Sequence, residues 1–192
     1  MITSQSDPAL NGTSIVDLSS LSIGLYPSLS AGGATFTSPG GVVRVDDEFS
    51  TGQYAGYYGV TGNYLDNNNT SIGTYGTDST YENELDISFS SPQQVVAYTY
   101  GAQDYNWTLS VYDSANNLID STVYGNPNND SNGFIGIEST SPDITHATLV
   151  SSSPDLVLFG NFYVTTTSVP EPSTIALAGL GIAGLVAARR RK

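Results

Sequence analysis

The sequence contains no cysteine, which excludes disulfide bonds, thiolate zinc sites and cysteine nucleophiles. Basic residues are almost absent as well, because the only one before residue 189 is Arg44, while residues 1–168 hold seventeen of the eighteen carboxylates. The phosphates of nucleic acid would repel such an acidic body, so we predict no nucleic-acid partner. The acidity favours solubility or the attraction of divalent cations.

Helical periodicity is nearly absent before residue 170. Short runs of β-branched and aromatic residues alternate instead with clusters of Gly, Asn, Asp, Ser and Pro. This pattern predicts an all-β, antiparallel β-sandwich or jelly roll over residues 1–164, followed by a polar linker over 165–168. The predicted strands are Ser14–Leu18, Ala34–Ser38, Val42–Asp46, Glu84–Phe89, Val95–Tyr100, Trp107–Tyr112, Leu118–Tyr124, Phe134–Glu138, Ala147–Ser151 and Leu156–Thr165.

Two stretches make this prediction specific. Strict alternation over Glu84–Ser90 indicates a strand with one buried and one solvated face. The polar run Asp113–Asn117 between two strands predicts a hairpin loop, because Asp and Asn supply turn hydrogen bonds and tolerate positive φ. We expect the centre of the core at Trp107, Leu109 and Val111.

The C-terminus combines three features in a fixed order: Val169-Pro170-Glu171-Pro172, an apolar stretch over 174–188, and the cationic end Arg189, Arg190, Arg191 and Lys192. The prolines keep the first piece extended. As a helix, the fourteen apolar residues 175–188 span roughly 21 Å, short of the roughly 30 Å hydrocarbon core, which suits a temporary membrane anchor. The cationic end should remain cytoplasmic as a membrane stop. The alternative is a buried core helix, which the terminal charges fit poorly.

This order resembles the PEP-CTERM sorting signal of exported bacterial proteins. The resemblance implies that an exosortase, a membrane processing enzyme, recognises Val169, Pro170, Glu171 and Pro172 as substrate residues and removes the helix. It also implies an inner-membrane intermediate in contact with lipid, followed by delivery to the cell surface or extracellular matrix of an exopolysaccharide-producing bacterium. The body, with its segment WTLSVYDSANNLIDSTV, looks like jelly-roll domains found ahead of such tails.

Residues 1–8 have neither a positively charged start nor an apolar run, so they do not form a signal peptide. Because a C-terminal sorting signal acts on exported proteins, we expect a leader to be encoded upstream.

The run Asp46, Asp47 and Glu48 is a candidate for a structural Ca²⁺ site, since hard cations need several oxygen ligands from loops. The alternative is a solvated turn, and the spacing matches no EF-hand. We expect no other cofactor.

The tyrosine-rich stretch over 52–83 offers a second candidate site. Tyr54, Tyr57, Tyr58 and Tyr64 could stack on sugar rings while neighbouring Asn and Asp bind hydroxyl groups. Alternatively these tyrosines only cover a sheet edge, because tyrosine suits strands.

Catalytic candidates are weak. His146 is the only histidine, and no Gly-x-Ser-x-Gly nucleophile motif accompanies it. Glu82, Glu84 and Asp86 share one strand face, as exposed polar residues do. We therefore predict a non-enzymatic surface or matrix protein that binds exopolysaccharide. The alternative is a secreted glycan-active or other hydrolytic enzyme, which would need two separated carboxylates across a cleft.

Overall fold

The computed structural model describes residues 1–47, 58–59, 61–67, 83–125 and 131–165. Two antiparallel sheets form a sandwich, which confirms the predicted fold class. The strands are β1 (Thr13–Val16), β2 (Gly24–Tyr26), β3 (Leu29–Ala31), β4 (Ala34–Thr37), β5 (Val43–Asp46), β6 (Tyr64–Asp66), β7 (Glu84–Gln93), β8 (Val95–Gln103), β9 (Trp107–Tyr112), β10 (Leu118–Tyr124), β11 (Ser131–Glu138), β12 (Ile144–Ser151) and β13 (Leu158–Thr165).

Sheet I has the order β11-β8-β13-β6-β5-β2, and β1 adds to it by pairing with β13. Strand β13 pairs with β8 along one edge, while its other edge pairs first with β6 and then with β1. Sheet II has the order β10-β9-β12-β7-β4-β3. Strand β12 lies between β9 and β7, with a continuous register to β9 and an irregularity between Ile144 and His146 in its register to β7.

Each of the ten predicted strands overlaps an observed one, and the bounds of β9 and β10 match at both ends. The pattern missed β2, β3 and β6, each of which has three residues. Three residues carry too little alternation to be recognised, and these strands are defined by pairing with β5, β4 and β13. The short 3₁₀ turn over Pro8–Leu10 is also absent from the sequence-based prediction.

The expected centre of the core is confirmed, because Trp107, Leu109 and Val111 are each 0% exposed. These side chains of sheet II face the aromatic side chains of sheet I. The ring of Trp107 meets that of Phe159 edge to face at 5.5 Å, and Phe36 contacts Phe162 at 4.9 Å. Large aromatic pairs of this kind bury extensive apolar area between the sheets.

The predicted hairpin loop between β9 and β10 is confirmed in its chemistry. Asp113 Oδ1 accepts hydrogen bonds from the backbone N–H of Ala115 and Asn117 at 2.8 and 2.9 Å. Asn116 has φ of 65°, the conformation that asparagine tolerates. Hydrogen bonds from Asn117, and to a smaller extent from Ala115, lower the pKa of Asp113.

The N-terminal segment docks against the outer side of sheet I. Ile2 and Gly136 exchange backbone hydrogen bonds of 2.7 and 2.8 Å. The side chain of Ile2 is buried in a small cluster with Leu10 and with Val95 and Ala97 of β8. A Cβ at Gly136 would lie 2.3 Å from that of Ala97, so β11 can approach β8 this closely only because residue 136 is glycine. The segment therefore behaves as part of the sandwich.

Strand β13 ends at Thr165, and residues 166–192 lie outside the described residues. The structure therefore does not test the predicted terminal helix, the sorting residues or the cationic stop, which stay predictions. Nowhere in the described part of the chain is there a helix with the length and apolarity needed to cross a membrane.

Candidate functional site

Arg44, whose side chain is 0% exposed, lies on the outer side of sheet I between two buried aspartates. Asp46 follows it by two positions on β5, and Asp66 is its cross-strand partner on β6. Arg44 Nη2 forms an ion pair with Asp46 Oδ2, and its Nε lies 3.5 Å from Asp66 Oδ2. One cation thus compensates two carboxylates in a place that water does not reach.

This cluster bears on the calcium prediction. The Asp46 carboxylate pairs with Arg44 and also accepts the backbone N–H of Asp47, so Asp46 belongs to a buried strand and not to a solvated turn. Glu48 lies outside the described residues, within which no group of three acidic or histidine side chains could hold a metal ion. Calcium at Asp46, Asp47 and Glu48 stays a prediction.

The structure separates the four candidate tyrosines. Tyr64 is 0% exposed and packs with Ala102 and Leu158, so its ring is not available to stack on a sugar, and that part of the prediction is wrong. The reason is that Tyr64 begins a buried strand and not an exposed loop. Tyr58 is half-buried against the same cluster. Tyr54 and Tyr57 lie outside the described residues.

The outer face of sheet II holds the one histidine of the sequence. His146 on β12 faces Tyr112 on β9, and their rings stack with centroids 4.7 Å apart at 5°. Hydroxyl-bearing residues flank the pair, since Thr148 lies opposite Ser110 and Ser88 lies opposite His146. Because each ring covers one face of the other, His146 has a packing role here.

Two carboxyl groups on the same face interact with each other. Glu84 and Asp86 are two positions apart on β7, where burial and the neighbouring charge of Asp86 raise the pKa of Glu84. Burial also raises the pKa of Asp86, against the lowering effects of a hydrogen bond from Glu84 and the charge of His146. A hydrogen-bonded pair on one strand does not offer the separated acid and base of a glycosidase.

Asp155, just before β13, is also buried, with 3% of its surface exposed. Its Oδ2 accepts from Trp107 Nε1 and from the backbone N–H of Asp104 and Tyr105, all at 3.1 Å. Burial raises the pKa of Asp155 to about 6, although these three donors act to lower it. The carboxyl group thus ties the β8–β9 connection, through Asp104 and Tyr105, to the buried ring of Trp107.

A cavity of about 260 Å³ opens on the outer side of sheet I where the N-terminal segment meets β8 and β11. Its polar side chains come from Gln5, Thr99 and Asn132, and Phe134 supplies an aromatic ring. Gly59, Tyr100 and Gly133 complete the described lining, which we call the neutral cavity because none of these residues carries a charge at neutral pH.

None of the described members of the two candidate sets, Asp46, Asp47, Tyr58 and Tyr64, lines the neutral cavity. Its walls come from residues up to 129 positions apart, Gln5 to Phe134, and the β8–β11 register that places Thr99 opposite Phe134 has no signature in the sequence. The one available signal was the Asn132-Gly133 turn pair before a hydrophobic strand, which by itself indicates only a turn.

Comparison with known proteins identifies the C-terminus. Residues 168–192 match the family model described as the PEP-CTERM protein-sorting motif. The chain carries a PEP-CTERM sorting motif. The motif indicates an exported protein that is anchored transiently in a membrane and processed by an exosortase. The match covers the tail alone and contains Val169, Pro170, Glu171 and Pro172, whose individual roles stay predictions.

The body resembles solved β-sandwich domains at low identity. It is 8% identical to the K1 cleaved adhesin domain of Lys-gingipain from Porphyromonas gingivalis, with a TM-score of 0.50 and coverage of 81% of this chain and 99% of that one. It is 12% identical to a family 6 carbohydrate-binding module, with a TM-score of 0.36 and coverages of 81% and 95%. The first likeness supports the fold alone. No curated protein matches the chain.

Proposed function

We propose that this PEP-CTERM protein is a non-enzymatic component of the cell surface or extracellular matrix, and that its sandwich binds exopolysaccharide. The sorting motif over 168–192 carries the proposal, because it begins three residues after β13 ends and so couples a folded body directly to an export route. The exosortase is the processing partner, and the membrane lipid surrounds the tail only until processing.

The described side chains support a binding role over a catalytic one. His146 is stacked on Tyr112, and Glu84 forms a hydrogen bond with Asp86. The carboxylate of Asp155 accepts hydrogen bonds from three N–H donors. General acid–base catalysis needs such groups to face a substrate, whereas these groups face each other or the core. The neutral cavity has the mixture of amide, hydroxyl and aromatic groups with which proteins hold hydroxylated ligands.

The sorting step is tested by replacing Pro170, Glu171 and Pro172 together with alanine. Alanine frees the backbone that the prolines keep extended, and it removes the acidic group of the motif. In a bacterium that has an exosortase, we expect the variant to stay in the membrane fraction at full mass, with at least a tenfold loss of released protein. The measurements are fractionation and intact mass spectrometry. Thr166→Ala with Thr167→Ala is the matched control, and undiminished release of the triple variant would refute exosortase recognition.

The binding step is tested separately with exopolysaccharide from the same bacterium. The full chain in detergent micelles should co-sediment with the insoluble polymer, and the bound polymer should keep its chain length after prolonged incubation. Shortening of the polymer would favour the hydrolytic alternative, and absence of co-sedimentation would remove the binding role while leaving the sorting step intact.

A further inference from the structure

We propose that the neutral cavity binds one or two sugar residues of an uncharged polysaccharide, an inference that rests on the proposed function and deepens it. The cavity volume of about 260 Å³ is slightly below the ~300–1,000 Å³ typical of sites for drug-sized ligands. The site is open to solvent, since Gln5 and Asn132 are exposed, and it can accommodate a short part of a glycan chain while the rest stays in solvent.

The hydrogen-bonding groups of the cavity match vicinal hydroxyls. The amides of Gln5 and Asn132 and the hydroxyl of Thr99 can each donate and accept a hydrogen bond. A sugar hydroxyl also does both, so this set suits a polyol better than a carbonyl or an ammonium group. Phe134 adds an apolar surface, on which the C–H face of a pyranose ring can lie.

The position of each wall is fixed by the fold. The ring of Phe134 packs edge to face on Tyr163 at 5.4 Å, next to the cluster that holds Ile2. A Cβ at Gly160 would lie 2.3 Å from Thr99 Oγ1, so Gly160 leaves the space that this hydroxyl occupies. The amide of Asn132 lies similarly close to Gly59, where an added Cβ would come within 2.6 Å of Nδ2. Packing therefore fixes the positions of Phe134 and Thr99, whereas Gln5 and Asn132 are exposed.

Charge selects the class of sugar. Residues 1–168 carry a single arginine, Arg44, which is buried with Asp46 and Asp66, so an anionic glycan meets no cation in the cavity and a negative body around it. A cationic amino sugar would find no carboxylate in the described lining. An uncharged hexose polymer avoids the repulsion that an anionic glycan meets and needs no carboxylate in the lining.

The N-terminal segment completes the site. Gln5 follows the bridge between Ile2 and Gly136 by three residues, so the docking of this segment places its amide at the cavity. Sugar binding should consequently depend both on Gln5 and on residues of β11, although these lie far apart in the sequence.

The test uses the full chain in detergent micelles and ligand-observed NMR with cellotriose, maltotriose, β-1,4-galactotriose and trigalacturonic acid. We expect at least one neutral trisaccharide to bind and trigalacturonic acid not to bind. Asn132→Ala, Gln5→Ala and Phe134→Leu should each weaken binding at least tenfold, while Asn106→Ala, an exposed asparagine just before β9, should not change it. The fluorescence of the single Trp107 confirms that each variant remains folded.

The outcomes separate the two proposals. If the neutral trisaccharide or the exopolysaccharide binds with equal affinity to wild type and all three cavity variants, the cavity is not the site and the proposed function survives. Preferential binding of trigalacturonic acid would overturn the neutral class of ligand. If wild type binds neither the trisaccharides nor the exopolysaccharide, both proposals fall.

Discussion

Replacing Arg44 with methionine is expected to lower the free energy of unfolding by about 3–5 kcal/mol. Methionine fills most of the volume of the arginine stem but leaves Asp46 and Asp66, both 2% exposed, without their shared cation. Two buried carboxylates then remain in a region of low dielectric constant without the cation that both contact, which destabilises the folded state. The effect should be read from urea unfolding followed by the fluorescence of Trp107.

The matched control for this prediction is the triple variant Arg44→Met, Asp46→Asn and Asp66→Asn, which removes all three charges and keeps similar volumes. If uncompensated charge is the cause, the triple variant should recover more than half of the stability that the single variant loses. Equal stability of Arg44→Met and wild type would contradict the prediction. Equal loss in the single and triple variants would assign the effect to packing.

The sandwich was predictable because its strands are long enough to show alternation and its turns use the expected residues. Glu84–Gln93 buries Leu85 and Ile87 on alternate positions, and Asp113 and Asn116 occupy the β9–β10 loop as turn chemistry requires. Such local signals determine strands and hairpins. They carry no information about which strands become neighbours.

The sites were less predictable for that reason. Arg44 and Asp66 meet only through the β5–β6 register, and His146 meets Tyr112 only through β9–β12. Tyr64 illustrates the same limit, since a tyrosine between glycine, asparagine and aspartate has the composition of an exposed loop. Its burial follows from the short pairing of β6 with β13, which no local pattern encodes. The sorting tail was predictable because its meaning lies in contiguous residues.

Replacing Asp155 with alanine is expected to cost roughly 2–4 kcal/mol of unfolding free energy, because it removes the acceptor of three N–H donors. The largest part of this cost comes from the indole N–H of Trp107, which is 0% exposed and would be left without an acceptor. Asp104 and Tyr105 lie at the surface, where water can replace the carboxylate as acceptor. Asp155→Asn is the control, because its amide oxygen can occupy the Oδ2 position to which all three donors point. We expect it to keep most of the stability.

The same pair of proteins, wild type and Asp155→Asn, reveals how Asp155 responds to pH. Because burial raises its pKa from 3.8 to about 6, the folded protein binds the proton more tightly than the unfolded chain does. The stabilisation from this group is complete below about pH 4 and is lost as the pH rises through about 6, with a slope of at most ~1.4 kcal/mol per pH unit. The unfolding free energy of wild type minus that of Asp155→Asn should therefore increase as the pH falls from 7 to 4. Carboxylates that do not interact with Asp155 affect both proteins alike. A flat difference would show that the three N–H donors offset burial at Asp155, and an opposite one that they outweigh it.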